Sequence, residues 1–104
     1  MSKFKFELQN VLEIRNFEQQ QAEGELAKCI AVETEINKNL EVIAMQYAAL
    51  KQQMKGSLDF SDMMSQSQYS KLLDYQKEQL LTQLAQAKIE TEEKRKILTE
   101  CMKK

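Results

Sequence analysis

Apolar residues recur along the first half of the chain at alternating steps of three and four residues. From Leu8 to Met54 the phase never slips, and every position is apolar or small except Arg15, Gln19 and Glu33. A seven-residue repeat kept over this length is typical of a helix that supercoils around a partner helix. The pattern therefore favours a protein that binds a protein partner over an enzyme with a substrate pocket. The series is Leu8, Leu12, Arg15, Gln19, Ala22, Leu26, Cys29, Glu33, Ile36, Leu40, Ile43, Tyr47, Leu50 and Met54.

A second, less apolar repeat follows in the other half of the chain. Its positions are Tyr69 or Ser70, then Leu73, Lys77, Leu80, Leu84, Ala87, Thr91, Lys94, Leu98 and Cys101. Between the repeats, Gly56 suits the left-handed residue that ends many helices, and Ser57, Asp59 and Ser61 can each cap the next one. With no proline to interrupt it, the sequence predicts a single all-α domain over residues 1–104. Its helices should span about 5–56 and about 63–104, joined by a turn over about 57–62.

A short connection requires the two helices to run antiparallel. The fold class that we expect is therefore a long antiparallel two-helix coiled-coil hairpin, rod-like in shape. This pairing places Ile43 opposite Leu73 and Cys29 opposite Ala87. Cys101 then lies well beyond the roughly 7 Å between α-carbons that a disulfide with Cys29 needs, so both thiols should be free. Large apolar pairs concentrate near the turn, which predicts a firm turn end and looser termini.

The composition excludes several classes of function. Lys and Arg number 15 against 16 Asp and Glu, a net charge of −1, so no general attraction to nucleic acid or to an anionic membrane follows. The chain has no histidine, the commonest general base and zinc ligand, and its two separated cysteines cannot build a tetrahedral site. Gly24 and Gly56 stand singly, so no phosphate-binding loop is present. We expect no enzyme, no cofactor and no metal.

The chain also lacks the sequence features of a membrane or secreted protein. No apolar run approaches the roughly 20 residues needed to span a bilayer. The first residues lack the apolar core of a signal peptide. We therefore expect a cytoplasmic protein.

Two regions carry more apolar bulk than a two-helix hairpin can bury. Near the turn these residues form a partner-binding patch, to which flexible methionines are suited, or Leu58 and Phe60 fold back as a plug over the hairpin end. At the other end, Phe4 and Phe6 lie beyond most of what the second helix can cover. They either dock on a partner or close the start of the first helix, and the lack of an available cover favours docking. The residues near the turn are Met54, Leu58, Phe60, Met63, Met64 and Tyr69.

The opening residues resemble a known family. The segment Phe4-Lys5-Phe6-Glu7-Leu8-Gln9-Asn10-Val11-Leu12-Glu13-Ile14-Arg15, with Glu18, Ala22 and Glu25-Leu26-Ala27 in phase, is similar to the flagellar export protein family FliJ. The resemblance implies an antiparallel coiled-coil hairpin similar to the central stalk of rotary ATPases. It further implies that the protein binds the hexameric export ATPase FliI, reaches the export gate FlhA and handles export chaperones. Such a protein promotes ATPase assembly and export at the cytoplasmic face of the inner membrane.

The resemblance also implies a division of the chain between partners. The residues that would engage the ATPase ring are Phe4, Phe6, Leu8, Leu12 and Arg15. The residues that would meet the export gate or the chaperones are Ile43, Leu50, Phe60, Met63, Met64, Tyr69 and Leu73. Family members generally continue further at the C-terminus. The chain is therefore either a short member or lacks part of the end that contacts the ATPase.

Lys94 and Arg95 belong to a small basic excess near the C-terminus. We expect this excess to match an acidic lumen in the ATPase ring.

Three other interpretations remain open. The chain could be the equivalent stalk of a virulence secretion system, the YscO-like family. It could be a holdase-type chaperone that grips clients through Phe60, Met63 and Met64. It could also be a generic coiled coil that dimerises into a four-helix bundle by pairing its seams.

Overall fold

The computed structural model describes residues 2–56 and 59–103, with side chains from residue 7 onwards. Two helices account for nearly all of these residues: α1, Ser2–Gly56, with 55 residues, and α2, Phe60–Lys103, with 44. No strand occurs in the described ranges. The predicted all-α, two-helix fold is confirmed. The chain divides into two compact units, unit 1 with Met1–Val32 and Ala87–Lys104, and unit 2 with Glu33–Gln86.

Helix α2 begins earlier than residue 63, where the sequence predicted it, because Asp59 caps it. The Ser61 N–H donates to Asp59 Oδ1 at 3.2 Å, and the Met63 N–H donates to the Asp59 carbonyl oxygen at 3.0 Å. The first bond satisfies an N–H group that has no carbonyl partner within the first helical turn, and the second is the first backbone bond of the helix itself. Of the three candidate caps, the structure uses Asp59.

The left-handed conformation predicted for Gly56 is wrong. Helix α1 runs through Gly56, and neither glycine of the described residues has a positive φ. The helix also begins at Ser2 rather than near residue 5. Local signals identified the region of the turn but not the residues at which the helices end.

Unit 2 contains the large buried side chains. Ile36, Ile43, Leu50 and Leu73 are buried, and Leu73 is only 1% exposed. All four are repeat positions predicted from the sequence. Because burying a side chain of this size contributes about 1.5–3 kcal/mol, this aliphatic seam is the main stabilising feature of unit 2.

Unit 1 buries smaller side chains. Ala22, Ala87 and Thr91 occupy its seam, and the Thr91 hydroxyl donates to the Ala87 carbonyl oxygen at 2.9 Å. An ion pair joins α1 to α2 here, with Lys94 Nζ 3.0 Å from Glu25 Oε2. Small side chains and the Lys94–Glu25 ion pair thus contribute to holding the two segments of unit 1 together.

Most of the remaining seam positions are half-buried, as the predicted phase requires, whereas Arg15 and Lys77 are exposed. Cys29 and Cys101 are half-buried and both are free thiols, as predicted. Leu8, Leu12 and Met54 are exposed, at the two ends of the first repeat. The half-buried members of the two repeats are Gln19, Leu26, Cys29, Glu33, Leu40, Tyr47, Ser70, Leu80, Leu84, Lys94, Leu98 and Cys101.

Candidate partner-binding surfaces

The first turns of α1 expose a run of apolar side chains. Leu12 is 53% exposed and Phe17 is 65% exposed. Arg15 and Glu18 share a cleft with Cys101, near the end of α2. An exposed apolar patch of this kind usually marks a partner site. We call it the amino-terminal apolar segment, and its members are Leu8, Val11, Leu12, Ile14 and Phe17.

Phe4 and Phe6 belong to the same end of the chain. Their side chains lie outside the described residues, so their docking role stays a prediction. Arg15, predicted to contact the ATPase ring, lines a small cleft of about 150 Å³ together with Glu18, Ile97, Glu100 and Cys101. The cleft combines charges of both signs with apolar surface from Ile97 and Cys101.

Unit 2 contains an open groove between the two helices, of about 380 Å³. We call it the amide groove, because side-chain amides from both helices line it beside apolar groups. Tyr75 on α2 is 62% exposed, and Val42 faces the groove from α1. Apolar contact combined with amide donors and acceptors suits an uncharged peptide segment. The lining residues are Asn39, Val42, Ile43, Gln46, Tyr75, Gln76, Gln79 and Leu80, none of which is charged.

A hydrogen bond connects the helices of unit 2 beside this groove. The Tyr47 hydroxyl donates to Asp74 Oδ1. This bond, with the burial of the ring and the negative charges of Asp74 and Glu78, raises the pKa of Tyr47 to about 12 from an ordinary value of 10.0. The phenol therefore remains protonated, and the bond remains formed, throughout the neutral range.

Lys94 is engaged within unit 1. The Glu25 carboxylate accepts its hydrogen bond and, together with the opposite charge, raises the pKa of Lys94 above its ordinary value. The predicted basic match to an acidic ring lumen therefore depends more on Arg95 and Lys96, which are exposed, than on Lys94.

The predicted gate-contacting residues fall into two groups. Ile43, Leu50 and Leu73 are buried between the helices, so a partner cannot reach their side chains while unit 2 is folded. They were predicted as contacts because they lie near the turn, but they are seam positions, and the seam buries them.

The other predicted residues near the turn are accessible. Phe60 is 76% exposed, and Met63, Met64 and Tyr69 are also exposed. Phe60 therefore does not plug the hairpin end. Leu58, the other residue of that alternative, lies outside the described residues. These exposed side chains form an apolar surface at the start of α2.

Sequence analysis missed the amide groove and the outward-facing side of α1 beside it. Residues 42–50 contain no charge at all, although a coiled-coil seam uses only Ile43, Tyr47 and Leu50 of this run. A helix that is apolar on all sides is normally covered on all sides. The excess of apolar residues over seam positions was the signal that could have identified Val42, Met45 and their neighbours.

The described residues show neither a metal site nor a membrane span. Nowhere in 2–56 and 59–103 do three or more His, Cys, Asp or Glu side chains gather so that they could hold a metal ion. Within the part of the chain that the structure describes, neither helix has a stretch both long and apolar enough to cross a membrane.

These features define the class: a two-helix coiled-coil protein whose described surfaces suit protein partners. The chain matches the family model described as Flagellar FliJ protein over residues 4–104. It belongs to this family, and the resemblance seen in its first residues is confirmed. The flagellar match favours a flagellar over a YscO-like virulence assignment. No curated protein and no solved structure matches the chain.

Proposed function

We propose that the chain acts as a stalk-like component of the flagellar protein export apparatus. It binds the export ATPase FliI through the amino-terminal apolar segment and the export gate FlhA through the amide groove. Through these contacts it promotes assembly of the ATPase hexamer and protein export, at the cytoplasmic face of the inner membrane. The observation that carries the proposal is the FliJ family match over residues 4–104.

The amino-terminal apolar segment supports the ATPase contact. Leu8 and Leu12 continue the heptad phase of the seam but are exposed. Their spacing places them on one face of α1, in the geometry by which a helix inserts apolar side chains between those of a neighbouring helix. Helices from the ATPase subunits would complete the interrupted seam, and the removal of apolar surface from water would drive the association.

The amide groove supports the gate contact. Tyr75 and Val42 supply exposed apolar surface on opposite sides of the groove. Aromatic residues with a polar edge are typical anchors of protein interfaces, since they bury a large area and retain a hydrogen bond. The buried Ile43 and Leu73 beneath hold the two helices at the separation that the groove requires.

The exposed apolar residues at the start of α2 favour a further contact with export chaperones. Phe60, Met63 and Met64 offer the adaptable surface that allows one protein to bind several different partners. Replacing all three with alanine should abolish chaperone binding and leave ATPase stimulation intact. Loss of both activities would show that this surface is not specific to chaperones. If these residues bind unfolded clients directly, the holdase interpretation is favoured instead.

The ATPase contact can be tested with the purified chain and its cognate export ATPase. We expect the chain to increase ring assembly, measured by sedimentation, and phosphate release. Leu12→Glu should remove most of this effect. Ile89→Glu, which charges a side chain of unit 1 with similar exposure (55%), is the matched control and should retain it. No effect from the intact chain would contradict the stalk assignment.

The gate contact needs a separate measurement. Calorimetric titration of the chain with the soluble part of the gate protein should show weaker binding for Tyr75→Ala by about tenfold, since truncation of an interface anchor typically costs more than 1 kcal/mol. Leu81→Ala removes an exposed apolar side chain outside the groove lining and should bind normally. Equal loss in both variants would place the contact elsewhere.

A further inference from the structure

The face of α1 that points away from α2 in unit 2 is apolar and exposed. Ile43 and Leu50 of this stretch are buried against α2, whereas Met45 is 70% exposed and Val42 is half exposed. Ala48 and Ala49 are exposed as well. We call the surface formed by Val42, Met45, Ala48, Ala49 and Gln52, with Lys38, Glu41 and Lys55 beside them, the outer face. Nothing in unit 2 covers the outer face among the described residues.

The outer face carries its own heptad spacing. Val42, Met45, Ala49 and Gln52 follow at steps of three, four and three, on the side of the helix opposite the seam. This is the spacing of a second coiled-coil seam, and the small side chain of Ala49 allows a neighbouring helix to approach closely. The natural occupant of such a seam is another helix.

The charges beside this second seam identify the occupant. Glu41 and Lys55 lie on the same stripe as Ala48, each about two helical turns from it and on opposite sides. All three are exposed. A second copy of the chain, antiparallel and centred near Ala48, would therefore bring each Glu41 against Lys55 of the other copy. In a parallel arrangement the two copies of this stripe would lie on opposite sides of the interface, so the Glu41–Lys55 pairs could not form.

We propose that the outer face of α1 is an antiparallel self-association surface that pairs two copies of this chain. Met45 of one copy packs against Ala49 of the other, and two Glu41–Lys55 ion pairs flank this contact. Lys38 falls opposite Gly56 of the second copy, so this register sets no like charges against each other. The arrangement has two-fold symmetry, as expected of a homodimer interface.

The extent of the outer face sets the strength of the dimer. Residues 38–56 span about 27 Å of helix. Two helices in contact over this length bury on the order of 1,000 Å² in total, near the lower limit of specific interfaces. We therefore expect a dimer at tens to hundreds of micromolar that dissociates on dilution.

Charge reversal tests both the surface and its register. Sedimentation of the full chain over a concentration series should show reversible dimerisation. Glu41→Lys alone and Lys55→Glu alone should each weaken it by about tenfold or more, since two attractive pairs become repulsive. An equimolar mixture of the two single variants should dimerise again, because both ion pairs re-form between unlike chains. A chain that stays monomeric at all concentrations, or a mixture that does not recover, would overturn the proposal.

Matched variants separate this surface from its neighbours. Lys71→Glu reverses an exposed charge on α2 of unit 2 and should leave dimerisation unchanged. Tyr75→Ala alters the amide groove and should also leave it unchanged, whereas Met45→Glu should abolish it. Circular dichroism should show the same helix content in every variant. Dimer loss in Lys71→Glu or Tyr75→Ala would exclude the outer face as the interface.

Discussion

Two neighbouring leucines of α2 differ in how much water they contact. Leu73 is 1% exposed in the seam of unit 2, and Leu72 beside it is 50% exposed. Truncation of a fully buried leucine removes its transfer free energy and leaves a cavity, at a cost of about 2–5 kcal/mol. We expect Leu73→Ala to lower the free energy of unfolding by this amount in urea denaturation. Leu72→Ala should change the free energy of unfolding by about 0.5 kcal/mol or less. A similar loss in both variants would contradict the assignment of Leu73, and not Leu72, to the seam.

Tyr47 makes the stability of unit 2 sensitive to alkali. Because Asp74 raises the pKa of Tyr47 to about 12 in the folded chain, the unfolded chain releases this proton first, near pH 10. Between these values the unfolded state binds fewer protons, so stability is complete below pH 10 and falls as pH rises towards 12. The pKa of Lys94 is also raised in the folded chain, so the stability that its ion pair contributes is likewise lost as the pH rises into the alkaline range.

The alkaline effect can be assigned with a conservative variant. Tyr47→Phe removes the titrating group, so the decrease in unfolding midpoint between pH 10 and 12 should be smaller than in the unaltered chain. Tyr69→Phe, which alters an exposed tyrosine outside the groove lining, is the control and should retain the full decrease. A Tyr47→Phe variant with an unchanged pH profile would contradict this assignment.

Contacts between individual side chains of the two helices were harder to predict than which residues are buried. The heptad repeat identified Ile43, Leu50 and Leu73 as seam residues, because burial depends only on which face of a helix a residue occupies. The antiparallel pairing that places Ile43 opposite Leu73 also sets Tyr47 opposite Tyr69 and Ser70, whereas the Tyr47 hydroxyl contacts Asp74. A long side chain reaches about one turn along a neighbouring helix, so a backbone pairing does not determine its partner.

At the scale of the helices, the sequence predicted two elements and left their ends ambiguous. Ser57, Asp59 and Ser61 have nearly equal preference for the N-cap, and only the geometry of the turn selects Asp59. Gly56 can adopt a left-handed conformation but does not have to, since glycine is also compatible with a helix. The residues at which helices end are therefore not determined by the conformational preferences of single residues.

Gly24 is a weak point in the interior of α1. A methyl group at this position would meet no atom within 4 Å, and φ is not positive there. Because glycine costs a helix interior about 0.5–1 kcal/mol relative to alanine, Gly24→Ala should raise the free energy of unfolding by this amount. Gly56→Ala, at the last residue of α1, has equal space and should give a smaller gain, since helix ends already fray. Thermal denaturation followed by circular dichroism measures both.

For the whole molecule, the sequence predicted the family, and part of the predicted contact surface is accessible to a partner. Leu8 and Leu12 were predicted as contacts, and their side chains are exposed. The gate contact stays a prediction, and of its residues Ile43 and Leu73 are buried in the seam. Tyr75, which lines the amide groove, lies outside both repeats and was not singled out by the sequence.

The two units should differ in local stability. Unit 2 buries isoleucine and leucine side chains, whereas unit 1 buries Ala22, Ala87 and Thr91. Because local opening is easiest where little apolar surface is buried, amides of unit 2 should exchange hydrogen slowest. Native-state exchange followed by mass spectrometry measures this directly. The slowest amides near Gln9 and Glu100 would contradict the expected order.

The small side chains in the seam of unit 1 also have a mechanical consequence. Alanine knobs reach only a short distance into the holes of a facing helix, so they resist axial sliding less than isoleucine or leucine knobs do. Under tension or torque, the seam of unit 1 should therefore act as the softer spring and that of unit 2 as the stiffer one. The two seams thereby give the two helix pairs different elastic moduli, the lower one in unit 1.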